Sequence, residues 1–186
     1  AKLATWALKV GREAALLELD GKPVTGLLAM KRDFADKLVL SKIRIALGLD
    51  ECRLPVSGAA PISAEVLEFF ASLGVVIYEV YGQSEDCGPT SFNRPGAVKF
   101  GTVGRPIPGL KVRIADDDEI LVRAPSLFDG YLKNEAATEE TLANGWMLTG
   151  DLGRLDNEGF LDIIGRKKDI IITAGGKNIT PAEIES

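Results

Sequence analysis

The chain has 186 residues, of which 46% are hydrophobic, 26% charged and 6% aromatic, with 20 Gly, 9 Pro and 2 Cys. This composition excludes a disordered chain and a small disulfide scaffold, and the length is enough to bury a core as one ordinary domain or two small ones. With 22 Lys and Arg against 27 Asp and Glu, the formal net charge of −5 supplies no global positive field for nucleic acid or anionic lipid, so no nucleic-acid partner is expected.

From Lys2 to Leu19 apolar residues recur at Leu3, Ala7, Val10, Ala14 and Leu17, a spacing that lays one stripe along a helix. A second helix is predicted from Asp33 as N-cap, through Leu38 and Ile45, to a glycine stop at Gly48. Residues 53–57 then read as a short strand. Gly58-Ala59-Ala60-Pro61 reads as a tight turn, and Ser63 as the cap of a helix carrying Val66, Leu67, Phe70 and Leu73. Residues 75–81 are β-branched and aromatic, a second strand. Strand, helix, strand with this crossover length predicts a parallel pair with helices packed on it.

After about Pro95 the period shifts to two. Lys111–Ile114 and Glu119–Arg123 flank Asp116-Asp117-Asp118 as a hairpin, and the acidic triplet lacks the alternation and glycine of a calcium loop. A short helix is expected at 134–142, and strands at 146–149 and 160–164 around the turn Asp156-Asn157-Glu158-Gly159. Arg166-Lys167-Lys168 reads as a charged linker, and Pro181 as the start of a helix. The expected fold class is therefore α/β: a partial parallel α/β unit over 1–94, a small antiparallel β unit over 95–165, then the truncated start of a C-terminal domain over 166–186.

With no His in the chain, Ser-His-Asp and Cys-His nucleophiles and imidazole metal sites drop out, which leaves carboxylates, Lys, Arg and hydroxyls. Cys52 and Cys87 lack CxxC spacing and fit a reducing cytoplasm. No stretch approaches the ~20 apolar residues of a membrane span. The start has neither an initiator Met nor a signal-peptide layout, as expected of a processed chain or an excerpt.

Tyr81-Gly82-Gln83-Ser84-Glu85 closes the predicted second parallel strand, where open α/β sheets bind ligands. Gly82 lets the backbone turn sharply, Ser84 offers a hydroxyl to a phosphate oxygen, Glu85 a hard oxygen to Mg²⁺, and Tyr81 a ring for stacking; the alternative is a polar strand-to-loop turn. Gly58, Ala59 and Ala60 would make a flat shelf beside Tyr81, or merely a turn onto the helix. A carboxylate at Asp151, in Thr149-Gly150-Asp151, suits a ribose diol or a turn. Neither 165–169 nor 175–178 fits a G-x-x-x-x-G-K-[ST] phosphate loop.

Taken in order, Ser57-Gly58-Ala59-Ala60-Pro61, Tyr81-Gly82-Gln83-Ser84-Glu85, Gly101-Thr102-Val103-Gly104-Arg105-Pro106, Gly130-Tyr131, Gly145-Trp146 through Asp151, and Gly165-Arg166-Lys167-Lys168-Asp169 onward resemble the adenylate-forming superfamily of acyl-CoA synthetases. The resemblance is greatest to its long-chain fatty acid-CoA ligase branch, and it spans essentially the whole chain. It implies an adenine pocket lined by Gly58, Ala59 and Ala60 with Tyr81 stacked opposite, Gly82 as a further cofactor-binding residue, and an AMP-phosphate contact at Ser84. It further implies Mg²⁺ on Glu85, ribose held by Asp151 and approached by Arg166, a hinge at Lys168, and Lys177 in the segment bordering the CoA tunnel. The implied cofactors are ATP and Mg²⁺, with CoA as cosubstrate. A fatty acid would be joined to AMP and then passed to the CoA thiol. A ligase that serves a carrier-protein thiol and a non-catalytic nucleotide-binding or interaction module are the competing readings. The family's Ser/Thr/Gly-rich phosphate loop and its completed C-terminal domain are not in this sequence, so the chain alone is expected to be inactive. Self-association through an uncovered sheet edge is a further expectation; peripheral membrane contact is left open.

Overall fold

A computed structural model describes residues 2–169, 171–172 and 178–179. The chain divides into two compact units, one of residues 1–79 and 94–101, the other of residues 80–93 and 102–186.

The first unit is mainly helical and carries one short parallel strand pair. Helix α1 covers Lys2–Leu19, as its apolar stripe predicts, and buries Ala7, Val10, Ala14 and Ala15. Gly11 is required where α1 meets α4 (Ala64–Ser72): a Cβ there would overlap the Ser72 carbonyl. The second helix begins earlier than predicted. Helix α2 spans Gly26–Ala35 with Thr25 at its N-cap, continues through a π-helical segment at Asp36–Leu40, and ends as α3, Ser41–Ala46. Asp33 is thus interior to the helix, whereas Gly48 takes the expected left-handed conformation (φ +69°) beyond its end. Arg44 donates to Asp36 and, at 2.5 Å, to the Leu73 carbonyl, which joins α3 to the π-helical segment and to the end of α4.

Ser63 caps α4 by accepting from the Val66 amide. The helix stops at Gly74 (φ +79°), and the Val75 amide turns back to the Phe70 carbonyl. Val75 is therefore a helix-end residue buried with Leu73, Ala7 and Leu40 in the first core, and the second strand starts three residues later than its β-branched run suggests. That strand, β2 (Tyr78–Gln83), runs parallel to β1 (Val56–Ser57), with Val56 opposite Tyr78 and Ser57 opposite Glu79.

The second unit is antiparallel. The far half of β2 pairs with β3 (Gly88–Phe92), and β3 with β4 (Arg105–Pro106). The predicted hairpin is β5 (Lys111–Ile114) against β6 (Glu119–Arg123), with Asp118 left-handed in its turn. β6 pairs with β8 (Trp146–Leu155), which is flanked by β7 (Leu142–Ala143) and β9 (Leu161–Arg166). The expected short helix is α5 (Glu135–Thr141), capped by Asn134, whose side chain accepts from the Ala137 amide. Ile120, Val122, Met147 and Leu161 form the second core, with Tyr81 packed against it. Thr149-Gly150-Asp151 lies inside β8 rather than in a turn after it, and the left-handed Gly150 (φ +71°) lets the strand continue. The helix expected after Pro181 lies outside the described residues.

Candidate functional site

The site is built where β2 runs out. Gly82 does not provide a turn, because its backbone remains within the strand. It provides space: a Cβ there would stand 2.7 Å from Pro89 Cα and closer still to the Gly88 carbonyl oxygen on β3. Beyond Gln83 the chain winds into a 3-10 turn, Ser84–Asp86, closed by Cys87 in the left-handed region. Asp86 is buried and fastens this turn. Its carboxylate accepts from the Gln83 amide (2.9 Å) and from the Thr90 hydroxyl. Ser84 is left exposed at the turn's start.

Glu85 is held from two directions. Its carbonyl accepts from the Phe128 amide, and its Oε1 accepts from the Tyr131 hydroxyl at 2.8 Å. Tyr131 in turn stands edge-on to Phe128 at 4.9 Å between ring centroids. The bond to Glu85, first among its causes, raises the Tyr131 hydroxyl pKa. With Oε1 engaged, Oε2 is the oxygen a cation would take. Among the described residues no group of three or more His, Cys, Asp or Glu is placed to hold a metal ion.

Asp151 is the centre of the arrangement. Only 7% exposed, its Oδ2 accepts from the Tyr81 hydroxyl at 2.8 Å and from Gln83 Nε2 at 2.7 Å, and its Oδ1 accepts from Arg166 Nε at 3.1 Å. Three strands supply these groups: Tyr81 and Gln83 from β2, Asp151 from β8, and Arg166 from β9, where it is the register partner of Asp151. Gln83 also donates to the Thr149 carbonyl, which keeps β2 and β8 in step. Burial first, and the Asp151 charge second, push the Tyr81 hydroxyl far above its ordinary pKa, so it remains a donor at any working pH. The Arg166 side chain, 66% exposed, is anchored by one nitrogen and leaves the rest of its fork to solvent or ligand.

The structure therefore brings Tyr81, Gly82, Ser84, Glu85, Asp151 and Arg166 into one unit, with Gln83 joining the strand end to Asp151. Lys168 lies in an exposed 3-10 turn, Lys167–Asp169, directly after β9. The Arg166-Lys167-Lys168 run is thus folded rather than a free linker: Lys167 bonds Asp117 Oδ2 at 2.6 Å and Glu119 Oε2 at 2.8 Å. Gly58, Ala59 and Ala60 belong to the first unit. They are exposed, and Ala59 is left-handed (φ +68°) just past the carboxyl end of β1. Lys177 lies outside the described residues. Sequence reasoning missed Gln83, although it stands inside the quoted motif, and Glu119, whose acidic side chain in a strand otherwise buried from 119 to 122 was the available signal.

A cavity of about 620 Å³ opens elsewhere, among Glu18, Arg32, Asp36, Arg44 and Cys52 of the first unit. Glu79, at the end of that unit, is buried, and its Oε2 has no hydrogen-bond partner. Burial pushes its pKa up to about 7. The folded form holds this proton more tightly than the unfolded form, so its contribution is complete below the ordinary carboxylate range and is lost as pH rises through about 7. Between pH 4.5 and 7 stability is expected to fall by about 2 kcal/mol, a slope that Glu79→Gln should flatten in urea midpoints measured against pH.

Residues 16–132 match the family of AMP-binding enzymes. The chain belongs to that family, and the motif from Tyr81 to Glu85 falls inside the matched region while Asp151 and Arg166 lie beyond it. Among curated proteins it is 51% identical over 159 residues to the long-chain-fatty-acid--CoA ligase FadD15 of Mycobacterium bovis, covering 86% of this chain and 26% of that one. It is 45% identical to the long-chain-fatty-acid--CoA ligase ACSBG2 of Xenopus laevis, covering 99% of this chain and 25% of the relative. Among solved structures it superposes on the O-succinylbenzoate coenzyme A synthetase MenE of Bacillus subtilis, in complex with ATP and magnesium ion. That match has a TM-score of 0.67 and 26% identity, over 95% of this chain and 49% of MenE. The chain thus spans about a quarter of the length of the curated relatives it matches.

Proposed function

We propose that this chain is the nucleotide-holding portion of an ATP-dependent long-chain fatty acid-CoA ligase. Such an enzyme joins a carboxylate to AMP with release of pyrophosphate, then lets the CoA thiol displace AMP. The observation that carries the reading is Asp151, a buried carboxylate fixed by Tyr81, Gln83 and Arg166 at the end of the strand that leads into Ser84 and Glu85. The names of the relatives support the chemistry.

Each residue has a part in this reading. The Asp151 carboxylate accepts the ribose hydroxyls, and Arg166 approaches the same sugar. Tyr81, its hydroxyl tethered, offers its ring to adenine, and Gly58, Ala59 and Ala60 are assigned to the same base by their small side chains. The Ser84 hydroxyl donates to the α-phosphate. A magnesium ion on Glu85 would neutralise phosphate charge, with Tyr131 fixing which oxygen faces it. Lys168 is the pivot of the segment that follows, 166–186 the beginning of a C-terminal domain, and Lys177 a CoA-side residue. Turning about such a pivot lets one cleft serve both half-reactions.

Calorimetric titration of the chain with AMP and with ATP plus Mg²⁺ tests the assignment. Asp151→Ala should weaken both ligands by about tenfold or more, since it removes a charged acceptor. Glu85→Ala should weaken only magnesium-ATP and leave AMP unchanged. Identical titrations for both variants and the unaltered chain would overturn the reading.

A further inference from the structure

We infer that Glu119 is a positioning residue that sets the geometry of the nucleotide site through its two carboxylate oxygens; the inference rests on the reading of Asp151 and Arg166 as the ribose-binding pair. Glu119 sits at the start of β6 and is 5% exposed. Its Oε1 accepts from the Gly150 amide at 2.9 Å, and its Oε2 accepts from Lys167 Nζ at 2.8 Å. Gly150 immediately precedes Asp151, and Lys167 immediately follows Arg166. One buried carboxylate therefore clamps the chain neighbours of both partners in the 3.1 Å Asp151–Arg166 pair.

The clamp is placed where the backbone most needs it. Gly150 is left-handed (φ +71°), and the β6–β8 and β8–β9 ladders both shift register here, between Glu119 and Leu121 and between Leu152 and Gly153. At such a break the ladder alone does not determine where the next side chain points. The Glu119 bond to the Gly150 amide restores that direction for Asp151. On the other arm, Lys167 is shared with Asp117 Oδ2 at 2.6 Å, and these bonds raise its pKa, the bond to Asp117 being the larger cause. Lys167 therefore remains an ammonium, and it pins the first residue after β9 to the hairpin. Groups that bind a ligand keep their alignment only when their own supports are locked, and Glu119 supplies that support to both sides of the pair.

The test compares AMP with 2′,3′-dideoxy-AMP, which lacks the hydroxyls assigned to Asp151. The unaltered chain is expected to prefer AMP by about tenfold or more, the value of hydrogen bonds to a buried charge. Glu119→Ala is expected to abolish that preference by weakening AMP, while dideoxy-AMP binding changes less than about twofold. Glu119→Gln, which still accepts from Gly150 but loses the ion pair, and Lys167→Met, altered only at the surface, should each give a partial loss. Glu119→Ala also serves in a second readout, hydrogen exchange at the Gly150 amide, which should lose protection while the Val122 amide keeps it. A Glu119→Ala chain that retains the full preference, while Asp151→Asn loses it, overturns the inference and leaves the ribose reading standing. No AMP preference in the unaltered chain sinks the ribose reading and the inference together. Equal weakening of both nucleotides reduces Glu119 to a general structural role and also overturns it.

Discussion

Asp151→Asn should cost about 2–3 kcal/mol of folding stability and disconnect the site, although the exchange is nearly isosteric. The carboxylate accepts from Tyr81, Gln83 and Arg166 at once, and an ionised carboxylate is all acceptor. An asparagine amide directs two N–H groups into this ring of donors, so either Arg166 or the Tyr81–Gln83 pair loses its acceptor and meets a like group. A chemical denaturation midpoint measures the loss. Spectrophotometric titration of the phenols supplies a second sign: with the Asp151 charge removed, Tyr81 should titrate lower than in the unaltered chain while remaining raised by its burial. A variant as stable as the parent, with Tyr81 unmoved, would show that the three bonds do not hold in solution.

The second large effect is expected from Gly82→Ala. The added methyl would fall within 3 Å of the carbonyl of Gly88 and the Cα of Pro89, which are backbone atoms of β3 and cannot rotate away. The β2–β3 pairing at Gly82 opposite Pro89 and Gln83 opposite Gly88 must open, at a cost of about 3 kcal/mol. Because Gln83 carries the link to Asp151 and leads into the Ser84–Asp86 turn, AMP binding should be lost with it. Thermal unfolding together with AMP titration checks both halves, and a stable variant with normal AMP affinity would contradict the close approach.

The fold was legible wherever local pattern and local structure share a cause. The stripe of α1, the Ser63 cap, the Gly48 stop and the β5–β6 hairpin all follow from spacing, a hydroxyl at a cap, or the absence of a Cβ. Misreadings arose where a non-local partner decided. Val75 looks like strand but is claimed by the Phe70 carbonyl and the helical core; Gly150 looks like a turn but is carried through β8 by bonds from β6. Asp33 looks like a cap, yet the helix already runs on from Thr25. At the site, Tyr81, Glu85 and Asp151 are visible as motif members, and the family assignment rests on such motifs. What a linear reading does not show is that Tyr81 and Gln83 both converge on Asp151, about seventy residues away along the chain. Nor does it show that Lys167 belongs with Asp117 and Glu119. Charge runs look alike until the chain brings opposite signs together.

Asp151 and Arg166 face each other across neighbouring strands of one ladder, and this separates the pair from the connection that joins the strands. The Asp156–Gly159 hairpin tip lies at the far end of the two strands. Drift in its length or composition leaves the paired residues in phase so long as the ladder itself persists. A descendant lineage is thus free to rebuild that tip for other purposes without disturbing the Asp151–Arg166 pair.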